Sequence, residues 1–402
     1  MKLNALSLSG LIIGPILGSG IILLPPLLYN NIKMNALFVF AIILFLGFIF
    51  ALIFGKLALL YKGEGGVSLA TKAALGKKYQ LLSSFYLICA VFFGPVAVLL
   101  IAAQFIQEYF PSLSLVVLSL FIYLITYVLL LVRIDFLGKL MLIISTFICL
   151  LFIVSSIYIL FNSSSFVFVF PSLSFQELGH SFVLAFWAIV GWEVIGNYSN
   201  DIKNDDSLKY AVIFSAIIVS LVYILVILAI CFGEFSNKSS EDFKLFYLLE
   251  PLFKGFSSYL LSSVSLVLCI GTLILFVGGV ARLIASLKLS EYTSRYSSSN
   301  IPLGALNFLS FVYMFTLVLV YYEYLNLNKL VSFADGFFIA NALIGLVSAV
   351  VLFKKGFLQA AAVFLVIVFT SILLFSNIFI LLLIVALFVF TFLSKKNAIK
   401  SV

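Results

Sequence analysis

The chain is poor in charge: Asp, Glu, Lys and Arg make up 9% of its 402 residues, against about 25% in a soluble domain. With 64% hydrophobic residues beside them, a soluble protein is excluded, because no fold could cover so much apolar surface. There is one histidine, His180, and four cysteines, Cys89, Cys149, Cys231 and Cys269, which all fall inside apolar runs without short metal-type spacing. A metal centre and a disulfide framework are therefore not expected. Gly55, Gly76 and Gly138 each precede a lysine, but no Ser or Thr follows to complete a GxxxxGK[ST] phosphate loop, so ATP-driven chemistry is not expected. No cluster of His, Cys or acids stands at catalytic spacing, so the chain is not read as an enzyme and no cofactor is implied. Basic residues outnumber acidic ones by 8, yet they sit singly or in pairs between apolar runs. That placement excludes nucleic acid as a partner and reports orientation in a lipid bilayer.

Long apolar runs are what the sequence has in abundance. Continuous stretches such as Leu37 to Leu60 lack the alternation of a membrane barrel, so the fold class is an all-α integral membrane protein. At roughly 20 residues per span, residues 1–402 form one domain of twelve spans. They fall near 7–29, 36–60, 80–107, 113–132, 139–161, 179–199, 209–232, 256–283, 303–322, 328–352, 357–374 and 377–394. The first run contains Pro15, Gly18, Gly20, Pro25 and Pro26, lacks a small-residue cleavage site and is too long for a signal-peptide core, so it reads as a retained span. Residues 61–79 are too polar to span and read as a turn followed by a short helix over Ser68 to Leu75. Residues 162–174 and 233–255, the latter with Glu234, Glu241, Asp242 and Glu250, read as loops. With the N-terminus inside, only Lys33, Lys238, Lys244, Lys254 and Lys329 of the 23 basic residues fall outside. This positive-inside bias predicts an even number of spans with both termini cytoplasmic.

Two spans contain interruptions. In the first, Gly10, Gly14 and Gly18 share a face that admits a close helix neighbour, but Gly18-Ser19-Gly20 in mid-span also predicts a break. A broken helix presents backbone N–H groups and a positive dipole end to a carboxylate, which is how secondary transporters build substrate sites. In the sixth span, Gly191, Glu193, Gly196 and Asn197 interrupt an apolar segment. Glu193 is costly in hydrocarbon and must face protein or water, either as a structural anchor or as a group in proton coupling or gating. His180, at the outer end of this span, reads as a solvated or packing residue. Breaks five helices apart fit an inverted five-plus-five repeat: residues 1–161 and 179–352, with 357–394 as two peripheral helices.

The run Gly18-Ser19-Gly20-Ile21-Ile22-Leu23-Leu24-Pro25, with Phe186-Trp187-Ala188-Ile189-Val190-Gly191-Trp192-Glu193 and Asp201-Ile202-Lys203-Asn204, resembles the amino acid, polyamine and organocation (APC) transporters. Ser299 to Pro302, Asn307 and the stretch Ala334 to Ile339 are similar to the branch that exports methionine and branched-chain amino acids. The resemblance spans about residues 6–395. It implies that Gly18, Ser19, Gly20 and Ile21 bind a substrate α-carboxylate, that carbonyls of Ala188, Ile189 and Val190 bind the α-amino group, and that Trp187 closes over the substrate. It places Ala90, Val91, Gly94 and Pro95 of the third span and Thr272, Leu273 and Phe276 of the eighth in the pocket. Those side chains are nearly all apolar and cannot neutralise a charge, so the implied substrate is a neutral hydrophobic amino acid.

Several relatives carry a lysine in the fifth span in place of a sodium ion, but Ile144 to Cys149 contains none; protons are the expected coupling ion. Asp335 stands where the exporter pattern has asparagine. It reads either as a helix-end residue with its carboxylate in an external vestibule or as a coupling group. The expected function is proton-coupled export from the bacterial cytoplasm across the inner membrane. The alternatives are an importer or exchanger using the same site, and a non-transporting amino acid sensor, which is expected to carry a soluble output segment that neither end provides.

Overall fold

The computed structural model describes residues 2–164, 166–235 and 244–393. Lys238, Glu241, Asp242, Lys395, Lys396 and Lys400 lie outside the described residues. The described residues are overwhelmingly helical, in chain order α1 (Ala5–Ile32), α2 (Asn35–Leu60), α3 (Val67–Leu75), α4 (Lys77–Gln107), α5 (Leu115–Leu130), α6 (Ile134–Phe161), α7 (Phe175–Phe186), α8 (Trp192–Ile195), α9 (Asp205–Phe232), α10 (Glu250–Phe253), α11 (Ser257–Leu287), α12 (Leu303–Tyr321), α13 (Leu327–Leu352), α14 (Phe357–Leu374) and α15 (Ile378–Leu393). Among them, ten segments are long and apolar enough to cross a bilayer, α7 and α8 belonging to one, and α5 and α15 are shorter apolar helices. Their order follows the twelve apolar runs. The short helix expected after residue 67 is α3.

Residues 233–255, expected to be a loop, contain short helical turns at Leu245–Leu248, Glu250–Phe253 and Lys254–Phe256. Leu245, Leu248 and Leu249 are buried, so apolar contacts from three leucines order the turns that follow residue 244.

Several helices begin on a side-chain cap. Asn4, Ser114, Asn204 and Asn326 each accept a backbone N–H from the first turn, and Ser174 with Glu177 forms a reciprocal capping box at α7. Asn204 therefore acts locally, where the sixth span ends and α9 starts.

α1 packs against α6, α9 and α11, and α4 packs against α13 and α11. Gly10 lies so close to the Leu142 backbone of α6 that no side chain fits, which is the close approach expected of the small-residue face. Around this centre, Phe121, Ile125, Phe147, Leu150, Phe311, Phe315, Ile367, Leu382 and Phe390 are exposed. So wide an apolar belt is stable only against lipid, and the chain is a multi-pass membrane protein.

Candidate functional site

The α1 break falls on Gly18, whose φ of 37° and ψ of −138° are non-helical. Only glycine adopts such a conformation cheaply, and a Cβ here would collide with Thr272 Oγ1 of α11. Breaking the helix strands carbonyls in mid-bilayer, where an unpaired polar group is expensive. Neighbouring hydroxyls reach them. Thr272 Oγ1 lies 3.0 Å from Pro15 O, while the Tyr223 hydroxyl donates to Leu17 O at 3.4 Å.

The sixth span breaks by a different geometry. α7 ends at Phe186, Trp187–Ile189 form one tight turn, Val190 is extended, and Gly191 takes φ 123° before α8 starts. Glu193 Oε2 accepts the Gly191 N–H at 3.0 Å and is buried. It thus caps the break from within, which is the structural-anchor reading of this residue. Glu193→Gln keeps an acceptor oxygen and should leave thermal stability in detergent almost unchanged. Glu193→Ala should lower stability by about 1–3 kcal/mol, the cost of a buried unpaired donor. Equal destabilisation by both variants would overturn the capping role.

The two breaks meet: Trp187 Nε1 donates to Ser19 Oγ at 3.1 Å. Beside this contact is a cavity of about 20 Å³, room for little more than one water. Of the residues expected at the site, Ser19, Gly20, Gly94, Pro95, Trp187, Val190, Thr272, Leu273 and Phe276 line it. Gly18, Ile21, Ala90, Val91, Ala188 and Ile189 do not. Ala90 and Val91 share a face of α4 with Gly94 and Pro95, but the cavity opens one turn further on, at Val98. Ile189 turns away to fill the space over Gly47 of α2.

Pro15, Ile16, Val98 and Phe338 also line the cavity, although none of them is among the residues expected at the site. Phe338 of α13 stands edge-on to Trp187, centroids 6.5 Å apart, and to Phe276 at 5.4 Å. The only sequence signal for it is its place in the Ala334 to Ile339 stretch. The cavity presents the hydroxyls of Ser19 and Thr272 and no charged side chain.

Asp335 corrects one expectation. It lies inside α13 at 0% exposure, not in an external vestibule, because Leu330 and Val331 continue the buried helix above it.

The end of the bundle carrying the N-terminus is closed by polar contacts. Arg282 of α11 pairs with Asp201 at 3.2 Å and lies over the Tyr198 ring. Tyr198 donates toward the carbonyls of Ile274 and Leu275, and Asn197 donates to Gly279 O. Leu3 exchanges backbone hydrogen bonds with Asp201 and Lys203. On the connection from α11 to α12, Tyr296 donates to Glu64; burial and that carboxylate hold its hydroxyl above the usual tyrosine range. At the opposite end, a cavity of about 360 Å³ opens between α1, α4 and α11, lined among others by Leu23, Gln104 and Ser262.

The family model described as "Amino acid permease" matches residues 3–401. The L-methionine/branched-chain amino acid exporter YjeH of Escherichia coli (strain K12) is 23% identical over 338 residues, covering 82% of this chain and 81% of its own length. Solved structures of the Eremococcus coleocola manganese transporter, one of a histidine-to-alanine mutant and one in complex with an aromatic bis-isothiourea substituted compound, superpose with TM-score 0.67 at 14% identity. Each covers 97% of this chain and 94% of the transporter chain. At that identity the likeness concerns the fold alone.

Proposed function

The chain belongs to the amino acid permease family, and on that premise we propose that it is a secondary transporter of neutral hydrophobic amino acids. Methionine, leucine, isoleucine and valine are its substrates, exported across the bacterial inner membrane by alternating access around the two breaks. The observation that carries this reading is the apolar cavity between the Ser19-Gly20 and Val190-Gly191 breaks, with two hydroxyls and no charge. N–H groups at the start of the second half of α1 hold the substrate carboxylate. The Val190 carbonyl holds its ammonium. Ala188, Ile189, Gly18 and Ile21 shape this backbone rather than contact the side chain, and Ala90 and Val91 extend the third-span face below it.

The cavity in this conformation is far smaller than an amino acid, so binding requires Trp187, Phe276 or Phe338 to move. Entry from the N-terminal side requires the Arg282–Asp201 pair to part. The direction follows the methionine and branched-chain exporter to which the chain is similar. The inverted repeat of 1–161 and 179–352, with 357–394 peripheral, belongs to the same proposal and is supported by the breaks falling in the first and sixth spans.

A second reading, manganese transport, draws on the structural neighbours. A protein site for a divalent cation is ordinarily anchored by carboxylate, imidazole or thiolate ligands, with carbonyls and water completing the shell. The cavity lining offers none, and among the described residues no group of three or more His, Cys, Asp or Glu could hold a metal.

Counterflow into proteoliposomes preloaded with unlabelled amino acid tests the reading. Labelled methionine and leucine should accumulate, lysine and glutamate should not, and manganese should neither accumulate nor compete. Lysine or glutamate as the best substrate would sink the pocket assignment. In cells, overexpression should confer tolerance of toxic methionine analogues; sensitisation would mean import. For orientation, a cysteine at exposed Ser172 should label from outside and one at exposed Ser298 should not.

A further inference from the structure

Asp335 does not line the cavity between the two breaks, yet its placement demands a role. Its carboxyl is fully buried and, among the described residues, neither oxygen has a hydrogen-bond partner. α2, α3, α4, α7, α14 and α15 pack against α13. Their charged and titratable residues are Lys56 on α2, Lys72 on α3, Lys77, Lys78, Tyr79, Tyr86 and Cys89 on α4, and Glu177 and His180 on α7; α14 and α15 carry none. None of them pairs with Asp335. Several are engaged elsewhere: Lys56 lies over Phe353, Lys78 donates to Phe392 O, Tyr86 donates to Ile384 O, and Glu177 caps α7.

An ionised carboxylate in hydrocarbon with no cation is costly. Its charge must be cancelled by something bound to it. A metal ion would need several further oxygens to replace its water shell, and among the described residues no hydroxyl or amide reaches these atoms. A proton needs only the carboxylate.

The position also couples to the substrate site. Phe338, one turn further along α13, lines the cavity against Trp187 and Phe276. Ala334, the preceding residue, lies where it would touch a side chain at Gly94 of α4, at 3.5 Å. The helices packed against α13 seal Asp335 from water, and a movement of α13 that opens this seal carries Phe338 with it.

We infer that Asp335 binds and releases the coupling proton. In the closed conformation the carboxyl holds the proton taken from water on one side of the membrane. When α13 shifts, the proton leaves to water on the other side, and the protein recloses only with substrate in the cavity beside Phe338, so that proton and substrate cross in opposite directions. This inference rests on the transport reading above and names its coupling group.

The test uses the full-length protein in proteoliposomes with a trapped pH-sensitive dye, comparing wild type, Asp335→Asn and Asp335→Glu with methionine as substrate. Wild type should show methionine counterflow, accumulation driven by a pH gradient, and methionine-dependent proton movement. Asp335→Asn keeps the shape and stays neutral, so it should retain counterflow and lose both the pH-driven accumulation and the proton movement. Asp335→Glu should restore part of each. The inference is overturned if Asp335→Asn retains pH-driven accumulation, if wild type exchanges methionine without moving protons or only under a sodium gradient, or if both variants reach the membrane and lose counterflow too. Absence of counterflow with any amino acid in wild type sinks the transport reading, and this inference with it.

Discussion

Gly20→Val should abolish substrate binding while the protein still reaches the membrane. A Cβ on Gly20 runs into the Tyr223 hydroxyl and stands 3.5 Å from Trp187 Cδ1. Tyr223 cannot simply retreat: it is fully buried, stacks on Phe40 at 5.6 Å and reaches the Leu17 carbonyl freed by the break. Overpacking of this kind costs about 1–3 kcal/mol, and the upper end is roughly 100-fold in affinity, before counting the backbone N–H groups that the new methyls shield. Gly14→Ala serves as control, since its Cβ would meet only Ser145 Cβ at 3.4 Å; it should bind methionine nearly as wild type does. Wild-type methionine affinity in Gly20→Val, measured by competition in counterflow, would remove the carboxylate site from this break.

The second large effect concerns side-chain choice. Leucine carries three more carbons than alanine, and at about 0.8 kcal/mol for each buried methylene the wild-type protein should prefer leucine by roughly 50-fold. Methionine should fall in the same range. Val98, buried on α4 and lining the cavity, sets how much side chain fits. Val98→Phe should fill that space, reduce affinity for leucine and methionine by about tenfold or more, and spare alanine, so that the ranking flattens or inverts. A Val98→Phe protein that still prefers leucine over alanine as wild type does would show that the side chain lies elsewhere.

The spans are legible in the sequence because a bilayer imposes one requirement on every crossing segment: some twenty apolar residues with all backbone groups bonded internally. The two breaks are legible for a related reason. Gly18 at φ 37° and Gly191 at φ 123° take conformations that residues with side chains rarely adopt, so the chain has to spell them with glycine. The segment 233–255 reads as a loop, and the helical turns in it go unseen, because Leu245, Leu248 and Leu249 are ordered by what they bury against, not by local propensity.

Facing is another matter. In a water-soluble helix the polar stripe marks the outside. Here both the interior and the lipid are apolar, so buried Val98 and exposed Phe121 look alike in sequence. The rotation of α4 that brings Val98 to the cavity, with Ala90 and Val91 lying below it, and the turn of α13 that brings in Phe338, are fixed only by packing. So are the meeting of Arg282 with Asp201, far apart in the chain, and the isolation of Asp335. The sequence by itself determined where the chain crosses the membrane and where its helices break, since those depend on residue type and local backbone freedom. The tertiary structure decided which residues meet at the breaks and which acid is left without a partner, since those depend on how apolar helices rotate against one another in a solvent as apolar as themselves.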